Sequence, residues 1–403
     1  MVGPTIQPNL FNILIRFRQH PYAIAADIEK MYRQVLVEPS QRPLQRILWR
    51  SNPDDPIQVY NLNTVTYGTA SASFLAIRSL MQLGIDCKTS HPDITASASF
   101  LSIIDCKTSH PDISSIIRED FYVDDLLTGA KDLAQAQRIC LQLSEILSAG
   151  CFKLCKWISN DAQVLKDLPT SDLHPGVLEI GSHESTRTLG LIWSFQSDYF
   201  MFNISESTAT IITKRTILSE ISQIFDPLGL LSPCTLSAKV LLQMLWMEKL
   251  TWDEPVPTSI QTKWTSYRYN LSKLNDLQIP RWTSYRYNLS KLNDLQIPRY
   301  ALCAKPTHVE IHGFSDASLQ GYGACIYLRS VDQQNNISVN LLCSKTKVAP
   351  LKPITIPKLE LCAALLFSKL HDEVQRSLKL VKSYWSYALL CYFLNYMMKS
   401  SAL

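Results

Sequence analysis

Apolar residues recur at helical spacing near the start of the chain. Leu10, Ile13, Leu14 and Phe17 fall on one face and predict a short helix over residues 8–18. The pattern then changes: residues 22–49 read as strand, short helix or turn, and strand. Alternation over 59–65 predicts a further strand. Residues 68–83 read as a helix rich in small side chains. Residues 132–149 read as an amphipathic helix that stops at Gly150, a residue suited to the position after a helix end. Short strands are predicted at 152–157 and 188–193, and helices at 213–225 and 235–250. Acids and prolines over 252–257 mark a boundary. Residues 309–326 predict a hairpin turning at 319–321. Pro357 opens a helix that carries Glu360 in its first turn and reaches about Leu378.

A chain of 403 residues predicts two or three domains. Its net charge of +4 and pI near 8.4 are mildly basic, and the basic residues are dispersed, so charge alone does not identify a nucleic-acid binder. Eleven cysteines occur without CxxC pairs or histidines at zinc spacing. Several, such as Cys140, Cys362 and Cys391, lie in apolar helical patterns. They read as reduced core residues of an intracellular protein. The first 18 residues lack the apolar run of a signal peptide, and 384–398 is too short and too polar for a membrane span, so no membrane partner is expected.

The chemistry concentrates at Phe121-Tyr122-Val123-Asp124-Asp125-Leu126-Leu127. Two adjacent carboxylates between β-favouring flanks predict a hairpin with an acidic tip. Adjacent like charges repel, and a divalent cation with its preference for hard oxygen ligands is the commonest remedy. A solvated Asp-Asp turn accounts for the tetrapeptide equally well. Upstream, a third acid, Asp27, ends the apolar run 22–26, and the aromatic Tyr32 follows it.

These two segments together resemble reverse transcriptases, in which one Asp ends a palm strand beside a Tyr-X-Asp-Asp turn. The finer resemblance is to the polymerase of Pao/BEL-type LTR retrotransposons. It is carried by 27–32 (DIEKMY), 118–129 (REDFYVDDLLTG), 153–160 (KLCKWISN), 188–193 (TLGLIW), 225–233 (FDPLGLLSP), 313–318 (GFSDAS) and 357–365 (PKLELCAAL), in family order. The resemblance implies an α+β fold. It would comprise a reverse-transcriptase palm of antiparallel sheet plus helices, a helical thumb/connection and a truncated ribonuclease H-like α/β domain. The expected boundaries are 1–160 for partial fingers and palm, 161–300 for thumb/connection, 301–380 for the ribonuclease H-like part and 381–403 for a divergent tail.

The resemblance further implies two-metal nucleotidyl transfer with Mg²⁺, or Mn²⁺ in its place. Asp27 and Asp124 would be the principal ligands and Asp125 an auxiliary one. Tyr32 would block a ribose 2′-hydroxyl and so select deoxynucleotides. Gly68, with 69–73, would let template and incoming base approach the backbone, although Tyr67 stands where the family has Gln. Tyr122 would lie against substrate. Lys153 or Lys156 would protonate the leaving pyrophosphate, and the sequence does not choose between them. Leu189-Gly190 matches a turn that grips the primer backbone. The partners implied are an RNA/DNA template-primer and deoxynucleoside triphosphates, in the cytoplasm within a virus-like particle or in the nucleus.

A second constellation, Asp316 at an expected strand centre and Glu360, resembles the first two metal-binding acids of a ribonuclease H domain. The third is expected where 381–387 reads VKSYWSY, and no Asp follows Asp372. Ribonuclease H activity is therefore expected to be lost. Few residues precede Asp27, so most of the fingers are expected to be missing. Arg16, Arg18, Arg42 and Arg46 are not assigned to the triphosphate.

The chain also repeats itself. Residues 85–94 recur at 104–113, 69–75 at 95–101, and 264–281 identically at 282–299. Identical pairs differ from the divergent arrays of solenoids and predict recent duplication. The insert at 86–104 precedes the acidic turn, where it could distort the palm.

Overall fold

The computed structural model describes residues 2–87, 111–174, 182–183, 186–187, 191–202, 211–272, 297–378 and 384–387. It divides into two units, one of residues 1–13 and 20–176, the other of 14–19 and 177–403. This places the division after Gly176 rather than at the expected 160. The reason is local: Leu173 bridges Trp157, and the His174 N–H donates to the Trp157 carbonyl, so 161–174 stays with the first unit.

The elements up to residue 159 are α1 (Leu10–Phe17), β1 (Tyr22–Ile28), α2 (Met31–Gln34), β2 (Arg46–Trp49), β3 (Gln58–Asn61), α3 (Ala72–Asp86), α4 (Pro111–Glu119), β4 (Phe121–Tyr122), β5 (Asp125–Ala130), α5 (Leu133–Ala149) and β6 (Leu154–Ser159). Four strands form one antiparallel sheet in the order β4-β5-β1-β6. Central β1 is buried over Ala23–Ala26 in an unbroken run, as a strand covered on both faces requires. Helix α5 begins where Asp132 accepts the Gln135 N–H at 2.8 Å. Its buried Ile139, Leu143, Ile146 and Leu147 join Leu80 of α3, Ile117 of α4 and Ile24 of β1 in one core. The β2–β3 hairpin is exposed at every residue.

The remaining elements are β7 (Ser182–His183), β8 (Thr186–Arg187), β9 (Leu191–Ser194), β10 (Tyr199–Phe202), α6 (Lys214–Ser222), α7 (Ser232–Met247), α8 (Thr258–Ser272), β11 (Ile297–Pro298), β12 (His308–Ala317), β13 (Gly321–Val331), β14 (Ile337–Val348), α9 (Ile356–Ser377) and β15 (Tyr384–Tyr387). Their main sheet runs β14-β13-β12-β15, antiparallel except that β15 lies parallel to β12. The expected boundary at 380 is therefore too early, because the aromatic-rich segment Tyr384–Tyr387 extends the sheet.

Two joints hold this unit. Arg18 and Arg299 are fully buried. Arg18 donates to the carbonyls of Pro298, Arg299, Leu341 and Leu342 at 2.6–3.1 Å. Arg299 makes a bidentate pair with Asp198 at 2.6 and 2.8 Å and donates to the Phe17 carbonyl. Burial pulls the Arg18 guanidinium down to about 10, which still leaves it charged. The second joint is the FDPLGLLSP loop. Asp226 accepts the N–H groups of Leu230 and Leu231 at the start of α7. Ser344 of β14 bonds the loop through the Leu228 and Gly229 carbonyls. Gly229 has φ 69°, and a Cβ there would stand 1.8 Å from the Ser344 carbonyl oxygen, so this position requires glycine.

No helix among the described residues is long and apolar enough to cross a membrane.

Candidate active site

The acidic turn forms as the sequence implies. Phe121 pairs with Leu126 and Tyr122 with Asp125, leaving Val123 and Asp124 as a two-residue hairpin loop. Val123 takes φ 60°, the left-handed region that suits glycine at the first loop position and is strained for a β-branched side chain. Such outliers concentrate where geometry serves function.

The hairpin lies beside the end of β1. Asp27 and Asp125 are cross-strand partners, and the Ile28 N–H donates to the Asp124 carbonyl at 2.9 Å. Three acids thus share one end of the sheet. Burial, and after it the charges of Asp124 and Asp27, push the Asp125 carboxyl up to about 7, while Lys156 acts against the rise. The oxygen donors are those a hard divalent cation takes, so the residues fit Mg²⁺.

The expected gathering of all three carboxylates is nevertheless incomplete. Among the described residues, no three His, Cys, Asp or Glu side chains stand close enough to share a metal ion. A physical cause is visible on β6. Opposite β1 the register moves from Ala25–Ile158 to Asp27–Cys155, so Lys156 and Trp157 together face Ala26 in a β-bulge. Lys156 takes φ 54°, and its Nζ reaches Asp27 Oδ2 at 2.6 Å. Bulges re-aim side chains in this way beside active sites.

The two candidate lysines now differ. Lys156 holds Asp27, whereas exposed Lys153 lies 3.2 Å from Asp172 and 3.9 Å from Glu29. Tyr32 sits in α2, packs against the core and reaches the Ser73 hydroxyl at 3.1 Å. Gly68 turns the chain before α3 at φ 86° with open space where a Cβ would stand. Tyr122 is half-buried and directly across from Asp125. Ser73 lies in the 69–73 stretch that the resemblance assigns to template approach, but its contact with Tyr32 has no signal in the sequence. Leu189-Gly190 and the bulk of the duplicated segments lie outside the described residues.

The second constellation is sparser. Asp316 is buried near the end of β12 rather than at its centre, because the strand starts at His308 and turns at 318–320. The Ala317 N–H donates to its carboxylate at 2.8 Å. Glu360 falls in the second turn of α9, since the helix starts at Ile356. Ala317 and Leu359, the chain neighbours of these two acids, pack in one cluster, which brings the two segments together. Strand β15 lies where the resemblance places a third acid, but it reads Tyr-Trp-Ser-Tyr, and no Asp or Glu follows Glu373.

An antiparallel sheet with three acids at one end in one unit, and a four-stranded mixed sheet with an acid-bearing helix in the other, make an α+β fold. Among solved structures, the chain resembles the foamy viral protease-reverse transcriptase in complex with RNA/DNA hybrid. Identity is 11%, the TM-score is 0.50, and the match covers 97% of this chain and 42% of that one. This chain therefore spans less than half the length of that protein. Residues 213–293 and 273–387 match the family described as Pao retrotransposon-like RNaseH-like domain. The two stretches overlap inside the duplicated 264–299, as expected where one piece of sequence occurs twice. No curated protein matches the sequence. Residues 213–387 are thus similar to the Pao retrotransposon-like RNaseH-like domain family, and the fold of the chain is similar to that of the foamy viral protein.

Proposed function

We propose that this chain is the RNA-directed DNA polymerase segment of a Pao/BEL-type retrotransposon polyprotein, acting in the cytoplasm or nucleus. It would extend a primer with deoxynucleotides on an RNA or DNA template. One observation carries this reading: Asp27 and Asp125 face each other across β1 and β5, with Asp124 at the adjoining turn. Asp27, Asp124 and Asp125 would hold the cations. Mg²⁺ or Mn²⁺, when bound, supplies Lewis-acid activation of a hydroxyl and charge neutralisation of pyrophosphate.

The rest of the chemistry belongs to the chain. Tyr32, which packs on the core and contacts the Ser73 hydroxyl, would stand against a ribose 2′-hydroxyl. Tyr122, across the strand pair from Asp125, would lie against substrate, and Gly68, with open space where a Cβ would stand, would let a base approach the backbone. Lys153 or Lys156 would give a proton to pyrophosphate; each is ion-paired here, Lys153 with Asp172 and Lys156 with Asp27. Asp316 and Glu360 lack a third acid within this chain, and we assign them no ribonuclease H turnover.

The second reading is a catalytically dead relic that at most binds nucleic acid. The ungathered carboxylates favour it. Primer extension on an RNA template with Mg²⁺, then Mn²⁺, separates the two. Extension abolished by Asp124→Asn/Asp125→Asn supports the polymerase. Its absence from folded protein supports the relic.

A further inference from the structure

We propose that the Lys156 ammonium is a built-in counter-ion of the palm carboxylates, holding a cation's place at Asp27 until a divalent cation displaces it. The inference rests on the polymerase reading and deepens it. Three features of the site carry it. The Nζ to Oδ2 distance of 2.6 Å is that of a close charge-assisted hydrogen bond. The contact exists because of a local irregularity: the bulge on β6 and the left-handed backbone at Lys156 accompany the reach of this side chain to Asp27. A strained conformation persists where its surroundings impose it. Asp27 is also the cross-strand partner of Asp125, so the ammonium stands beside the acids it would compensate.

The pair is suited to exchange. The Lys156 side chain is 35% exposed and that of Asp27 19%, so the ammonium has water to withdraw into. Its flexible four-carbon stem allows that movement, and ion pairs at such exposure are weak enough to be exchanged. Lys153 serves as an internal comparison. It is also cationic and on the same segment, but its acid partners are Asp172 and Glu29.

The test is binding of Mn²⁺ alone to the full chain, followed by the electron paramagnetic resonance signal of the free ion. Lys156→Met and Lys156→Gln should each bind Mn²⁺ roughly three- to tenfold more tightly than wild type. Lys153→Gln should leave the affinity unchanged. Without metal, both Lys156 variants should melt at lower temperature, and Mn²⁺ should restore them. Circular dichroism establishes that each variant is folded, and Met preserves the apolar stem should Gln fail. Equal or weaker Mn²⁺ binding by folded Lys156 variants, with binding abolished in Asp27→Asn, overturns the counter-ion role and leaves the polymerase site standing. Wild-type Mn²⁺ binding by Asp27→Asn overturns both.

Discussion

The two acidic constellations sit on sheets of the same size but differ in what surrounds them. Around Asp27, Asp124 and Asp125 two non-glycine residues are left-handed, Val123 beside Asp124 and Lys156 touching Asp27. In the second unit no left-handed residue adjoins Asp316 or Glu360 in the chain, and close packing is instead found at Gly229 against Ser344 and at the buried Arg18 and Arg299. Strand β15 pairs in register although the sequence offers no third acid. Strand pairing needs backbone and β-favouring side chains, whereas two-metal chemistry needs particular carboxylates. The pairing of β15 with β12 thus depends on no carboxylate in β15.

Substitutions can break or sharpen this contrast. The largest effect is expected at the palm: Asp27→Asn should lower primer extension by roughly 10³-fold or more while the melting profile persists. At the joints the loss should be one of stability. Arg299→Ala removes a fully buried guanidinium and the ion partner of Asp198, which keeps the Trp193 N–H, and should cost about 3–5 kcal/mol in chemical denaturation. Gly229→Ala should cost roughly 2–4 kcal/mol, since the backbone of β14 blocks a Cβ. If either joint variant instead spares stability and abolishes extension, the division between chemistry and scaffold is wrong.

Smaller effects refine the picture. Val123→Gly relieves the left-handed strain and should stabilise the protein by about 0.5–1 kcal/mol while slowing extension, because the turn loses rigidity. Asp226→Asn tests the second joint by pH. Burial raises the Asp226 carboxyl to about 6, against bonds from Leu231, Leu230 and Gly229 that act the other way. A raised folded-state value means that its stabilising contribution is present below pH about 4 and is lost as pH rises through about 6. The wild type should therefore lose stability across that window, and the Asn variant should show a flatter profile by thermal melting.

Much of this was legible in the sequence. The acidic hairpin, Asp27 at a strand end, helix α5 with its Asp132 cap and the α9 helix with Glu360 follow from alternation, helical spacing and capping residues. Strand β14 was overlooked although Ile337, Val339 and Leu341 alternate with Ser338 and Asn340, a pattern that could have found it. Other features had no local signal. The Lys156 bulge depends on the register between β1 and β6, and nothing about a lysine announces a left-handed backbone. Arg18 and Arg299 belong to a residue type expected at the surface, and their burial depends on carbonyls and an acid supplied from distant segments.

The most direct test runs both activities on one preparation of the full chain: primer extension on RNA and cleavage of the RNA strand in a hybrid, each with Mg²⁺. The account predicts extension that Asp124→Asn/Asp125→Asn abolishes, and no cleavage above the level of Asp316→Asn. Cleavage that Asp316→Asn removes, or folded protein that never extends a primer, would contradict it.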